Sequence, residues 1–426
     1  MITRAAVTLL GLLLAPSAFA ADSGHTAWIM TSTALVLFMT LPGLALFYGG
    51  LVRVRNVLSV LTQCFAITCV ITILWLVVGY SLAFGDGNAF VGGFGKVLFA
   101  GVGEGAMAGD IPESVFATFQ LTFAIITPAL IVGGFAERMR FSSMLLFSAL
   151  WSLLVYAPIT HWVWAEGGWL FERGLLDFAG GTVVHVTAGV TALVAAVVMG
   201  SRGDFPRGAL MPHNMTMTVT GAGMLWVGWF GFNGGSALAA DGNAGMAILV
   251  THISAAAGAF SWMMAEWVRY RKPSALGLVT GMVAGLGTIT PASGFVGPAG
   301  ALVIGLTAGV VCFAATNFIK RKLQIDDSLD VFPVHGVGGI LGTLAAGVFA
   351  SDALGVFSGQ GYAEGMTMGS QLGVQALGIL ATGVYTAVLT WGLLKVVDRV
   401  TGLRVSAEDE TKGLDTTQHN ERGYDL

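Results

Sequence analysis

Charge is what this sequence has least of. Asp, Glu, Lys and Arg make up only 10% of 426 residues, against 55% hydrophobic. A soluble domain of that length cannot keep so little charge on its surface, so the bilayer has to be the solvent for most of the chain. A basic excess is missing as well, and a net charge of −4 gives no ground for nucleic-acid binding. Cysteine is nearly absent: Cys64, Cys69 and Cys312 all fall inside apolar runs with neither metal-ligand spacing nor an external pair, which leaves buried thiols. No filter loop of the TVGYG kind occurs, which counts against a potassium channel.

What the chain has instead is apolar length and glycine. Mean hydropathy is +0.78, and 61 glycines are spread through the apolar runs. In lipid, small residues let helix backbones pack closely. The start has the layout of a secretory signal over residues 1–20: Arg4 as positive n-region, Ala5–Leu14 as an apolar core too short to span, and Ala18-Phe19-Ala20 as a cleavage site. Cleavage there puts the mature N-terminus outside; an uncleaved anchor is the alternative. Eleven apolar stretches of spanning length follow, at Ala27–Tyr48, Val57–Ala83, Phe116–Phe135, Ser143–Trp162, Gly181–Met199, Thr216–Phe232, Met246–Val268, Leu276–Thr290, Gly297–Ile319, Val334–Phe349 and Gln371–Val397. The expectation is an all-α polytopic membrane protein, with a transmembrane domain over 21–400 and a cytoplasmic tail over 401–426.

Charge placement orients this map. Alternate loops carry Arg53 and Arg55, Arg138 and Arg140, Arg202 and Arg207, Arg269, Arg271 and Lys272, then Lys320, Arg321 and Lys322, while the opposite loops hold only Lys96 and Arg173 among basic residues. The positive-inside rule therefore predicts N-out and C-in. A repeat is also visible: Asp177 precedes Val184-His185 in the fifth stretch, and Asp330 precedes Val334-His335 in the tenth. A five-helix unit has an odd number of crossings, so its second copy inserts upside down. Inverted repeats place their site between the halves, near the midplane. The eleventh helix stands outside the repeat.

His185 and His335 are the most informative residues. A charged side chain at the bilayer centre costs about 2.5–3.5 kcal/mol on insertion scales, so such residues face a partner or a polar cavity. A single such histidine is as readily a packing residue; two at matched points of inverted halves point to a shared site. Two neutral rings in contact share one hydrogen bond and fix each other's tautomers. That pair suits a small neutral solute that both donates and accepts hydrogen bonds, and it can relay a proton. His252 lacks a matched partner and reads as a packing residue; His161 sits at a helix end.

A second constellation lies at the outer end. Phe119 and Phe123 are an i, i+4 pair in the third stretch, Trp164 ends the fourth, and Trp229, Phe232, Asn233 and Ser236 share one helical face of the sixth. An interfacial aromatic belt facing headgroups is one reading. The other is an inward cup that attracts a cation through ring quadrupoles, worth about 2 kcal/mol when desolvated, with Ser236 adding a hydroxyl acceptor. Asp177, before Gly180-Gly181, reads either as an N-cap of the fifth helix or as a charge favouring a cation at the mouth. Asp330 is expected to cap the tenth helix in the same way.

Six stretches resemble the Amt/Rh ammonium transporter family, in its bacterial Amt branch: TALVLFMTLPGLALFYGGLVRVRNVLS (33–59), GGFAERMRFS (133–142), LDFAGGTVVHV (176–186), VGWFGFNGGS (227–236), TPASGFVGP (290–298) and DDSLDVFPVHGVGGILG (326–342). They run in order across nearly the whole mature chain. The resemblance implies an ammonium channel of the inner membrane, with Phe123, Trp164 and Ser236 as the outer recruitment site, Phe119 and Phe232 as a phenylalanine gate, His185 and His335 as twin pore histidines, and Asp177 as a structural acid. It further implies a homotrimer and regulation by a cytosolic PII signal protein of the GlnK-like kind. The tail departs from the family's usual HGE, reading His419-Asn420-Glu421. No step calls for a metal, nucleotide or covalent intermediate, so neither a cofactor nor an enzyme is expected. A channel for another solute and an ammonium sensor are the rival readings.

Overall fold

A computed structural model describes residues 21–206 and 210–425; the expected signal segment, 1–20, lies outside them. The fold is mostly helical. In chain order the helices are α1 (Ser23–Leu51), α2 (Val54–Phe84), α3 (Glu113–Phe135), α4 (Phe141–Trp164) and α5 (Gly181–Met199), then α6 (Met215–Gly235), α7 (Gly242–Tyr270) and α8 (Ala275–Ile289). α9 (Pro298–Lys322), α10 (Phe332–Phe349) and α11 (Met368–Thr401) complete the bundle. Each expected stretch coincides with one helix. Nine of those described are long and apolar enough to cross a membrane; α6 and the 15-residue α8 fall outside that set. Helices are the natural form for such segments, because lipid offers no partner to a free backbone group. Besides helix and loop, the described residues form two minimal hairpins, Gly87–Asn88 with Val91–Gly92 and Met107–Ala108 with Ile111–Pro112, and one isolated bridge between Met139 and Arg404.

Local chemistry sets several ends. Asp241 and Ser274 accept from the third residue of α7 and α8 respectively, and Thr367 with Ser370 forms a capping box at α11. Gly200 and Gly402, at φ 74° and 71°, close α5 and α11. α1 is broken within the membrane run: Leu41 leaves helical values at φ −124°, ψ 99°, just before Pro42. Close crossings rest on glycine where a side chain has no room. A Cβ on Gly221 of α6 would lie 2.3 Å from the Phe47 nitrogen of α1, and one on Gly189 of α5 would lie 2.3 Å from the Gly336 backbone of α10. The second crossing brings the starts of the two histidine helices together.

The loops sort to two ends of the bundle. At one, Trp169 N–H donates to Ala89 O, and Gln360 N–H to Phe295 O. At the other, Arg202 bridges Glu137 (2.9 Å) and Asp326 (2.7 Å), while Arg53 also reaches Glu137 at 3.0 Å. Burial alone would raise Glu137, but Arg202 and Arg53 outweigh it and hold the carboxyl below its usual range; Asp326 is held down by Arg202 against the same burial. The tail docks on this charged end through α12 (Ala407–Lys412) and α13 (Leu414–His419). Glu410 pairs with Arg404 at 2.7 Å, and Asn56 links the Leu414 N–H to Glu137. Asp415 accepts from the Leu58 and Ser59 N–H groups near the start of α2.

Candidate conduction site

The two histidines meet. Their Nδ1 atoms are 3.2 Å apart and their rings lie nearly parallel, 16° between planes with centroids 5.2 Å apart. Both are buried, His185 at 1% and His335 at 4% exposure. One Nδ1 must donate and the other accept, so the two tautomers are linked. Both rings sit in an irregular opening turn of wide helical pitch, Gly181–Val186 in α5 and Phe332–Gly336 in α10, a form that recurs at functional positions. Beside them is a chamber of only about 10 Å³, lined by Ile126, Leu130, Val184, Leu225 and Phe232, about the limit for a single water.

A wider cavity opens on each side. One, about 280 Å³, runs from His335 to Glu266, Lys320 and Asp330 at the charged end. The mouth, about 240 Å³, is lined by Phe123, Trp164, Asp177 and Ser236 among others. Between mouth and chamber stand Phe123 and Phe232, with ring centroids 4.3 Å apart, and Trp164 meets Phe123 edge-on at 5.6 Å. Trp164 Nε1–H donates to Asp177 O at 2.9 Å, which fixes the indole. Ser236 donates its hydroxyl proton to Phe232 O at 2.8 Å, leaving its lone pairs free.

Asp177 has the geometry of a cap. Its carboxylate accepts from the N–H groups of Gly180, Gly181, Thr182 and Val183 and from the Thr182 hydroxyl. Asp330 does not repeat this at α10. Its carboxylate pairs with Lys320 at 2.8 Å, and the side chain that accepts from the α10 start, at Phe332 N–H, is Asp327, 2.7 Å away. The missed signal is spacing: Asp177 and Asp327 each stand eight residues before their histidine (185 − 177 and 335 − 327), whereas Asp330 stands five before (335 − 330).

Three further expectations need correction. Phe119 is not the ring that faces Phe232; Phe123 is, because 119 and 123 lie on successive turns and only one is level with Phe232. Phe119 meets Phe123 edge-on at 5.0 Å instead. Trp229 is not part of the mouth: it stacks on His185 at 5.6 Å and donates to the Thr290 hydroxyl. Asn233 turns away to Thr251 of α7. A helix face is about 100° wide, and spacing alone does not say which of its residues reach a cavity. The remaining histidines are apart from the path: His161 bridges Ala83 O and Asn88 O, and His252 lies against Trp226 and Phe230.

A multi-pass helical bundle with a cavity at each end of a buried imidazole pair defines a membrane transport protein. The particular family follows from comparison: the model of the Ammonium Transporter Family matches residues 27–424, and the chain belongs to that family, one of transporters rather than enzymes. It is similar to the ammonium transporter of Bacillus subtilis, 45% identical with 94% of this chain and 98% of that one covered. Among solved structures it resembles Mep2 of Saccharomyces cerevisiae (TM-score 0.84, 38% identity, 91% and 88% covered) and a Sensor Amt Protein (TM-score 0.85, 31% identity, 93% and 98% covered).

Proposed function

We propose that this chain is an ammonium channel of the bacterial inner membrane. It crosses eleven times with its N-terminus periplasmic after removal of residues 1–20, and its charged end and tail over 401–426 are cytoplasmic. Ammonium is recruited by cation–π attraction to Phe123 and Trp164, with Ser236 as acceptor. Charge and size do not separate ammonium from potassium, but only ammonium can shed a proton. Passage beyond the Phe123–Phe232 pair strips water and favours the neutral form. Ammonia then moves along His185 and His335, and the shared Nδ1 contact offers the proton a separate relay. Asp177 holds the start of α5 and, through it, Trp164. The observation that carries this reading is the buried imidazole pair beside a chamber of about 10 Å³, too narrow for a hydrated ion.

The family resemblance extends the reading to a homotrimer with one path per subunit, and to a PII-type protein of the GlnK-like kind acting at the charged end. The test is flux in proteoliposomes: ammonium uptake without potassium uptake is expected, and equal passage of both overturns the reading. Replacing both His185 and His335 by leucine is expected to abolish selective ammonium flux; unchanged selectivity removes their assigned role. The likeness to a Sensor Amt Protein favours one second reading, a sensor, which ammonium binding without flux would select.

A further inference from the structure

The mouth has a side chain whose chemistry is so far unused. Gln120 lies on α3 between Phe116 and Phe123, at spacings that put all three on one face, and all three line the mouth. It is 8% exposed, and its Oε1 is buried without a hydrogen-bond partner among the described residues. Buried amide oxygens are nearly always bonded. Because the last torsion of a glutamine is broad, its amide turns readily and can present that oxygen to the cavity without movement of α3.

Of the other three polar side chains that line the mouth, two are already committed. Trp164 Nε1–H is spent on Asp177 O, and the Asp177 carboxylate on the first turn of α5. Ser236 retains free lone pairs, and the rings of Phe123 and Trp164 attract charge without directing individual N–H bonds. An ion with four N–H donors therefore finds one hydroxyl and one unspent side-chain amide. We propose that Gln120 is a further ammonium ligand of the mouth, its carbonyl oxygen accepting one N–H and setting apparent affinity and preference over alkylated amines. This rests on the ammonium reading given above. Methylammonium has only three N–H donors, so it makes one directed contact fewer.

The test is the initial rate of uptake into proteoliposomes, for ammonium and methylammonium, with wild type, Gln120→Leu and Gln120→Met. Loss of one hydrogen bond to a charged partner is expected to raise the half-saturating ammonium concentration about tenfold, with the maximum rate within about twofold of wild type, as for removal of uniform binding. The ratio of methylammonium to ammonium half-saturation is expected to fall in both variants, which a merely structural glutamine would not bring about. Should Gln120→Leu fail to fold, Gln120→Met keeps the unbranched length and gives the same readout. A conducting wild type whose variants keep its half-saturation and amine ratio overturns this assignment alone. A wild type that takes up no ammonium overturns the channel reading and this assignment with it.

Discussion

The starts of α5 and α10 both open on an irregular turn, with an aspartate eight residues before each histidine, yet the two aspartates are treated in opposite ways. Asp177 is wrapped by four backbone N–H groups and a hydroxyl. Asp327 receives the Phe332 N–H, its Oδ1 is without a partner among the described residues, and it sits beside the Asp330–Lys320 pair. Burial, with the neighbouring Asp330 charge adding to it, pushes Asp327 up to about 7. The spacing repeats while the surroundings do not. Asp177 is satisfied by the backbone of its own helix, whereas Asp327 keeps one carboxylate oxygen without a partner among the described residues.

The largest break in this comparison is Asp177→Ala. It strands several buried N–H donors at the first turn of α5, and about 3 kcal/mol or more of stability is expected to go, given about 1–3 kcal/mol for each buried group left unmade. Thermal unfolding in detergent measures it, and Asp177→Asn should recover part of the loss. Next come the paired glycines. Gly189→Ala drives a Cβ into the Gly336 backbone, whereas a Cβ on Gly336 first meets the Phe332 ring, a side chain that can turn. About 1–3 kcal/mol is expected for Gly189→Ala, typical of overpacking, and less for Gly336→Ala; equal losses would contradict the asymmetry of the crossing.

The smallest effect is expected at Asp327→Asn, which imitates the protonated acid and should cost about 1 kcal/mol or less at low pH. Its value lies in the pH profile. An acid raised in the fold binds more protons there than when unfolded, so it lowers stability as pH rises from about 4, its ordinary value, to about 7. Above that its contribution is flat. Unfolding profiles of wild type and Asp327→Asn should diverge across that window, and parallel profiles would return Asp327 to the ordinary carboxylate range.

Much of this was legible in the chain. Apolar length located every helix of the bundle, and the alternation of basic loops matches their sorting to two ends. The two histidines could be singled out because a polar side chain in a spanning helix needs a reason. What periodicity could not supply was level and depth. It put Phe119 and Phe123 on one face without saying which turn is opposite Phe232, and it grouped Trp229 with Ser236 although one stacks on His185 and the other caps α6 at the mouth. Asp330 is nearer to α10 in sequence, but the carboxylate that accepts from its start is Asp327, at the same distance from its histidine as Asp177. Gln120 gave no signal, since a glutamine in an apolar helix is informative only once its partners are known.

The docked tail bears on the order of synthesis. Leu58 and Ser59, among the first residues of α2, find their acceptor in Asp415, 357 and 356 positions later. α2 is therefore synthesised well before the carboxylate that accepts from its start. A chain cut short of Asp415 keeps α1 to α11 and lacks the carboxylate that accepts from Leu58 and Ser59.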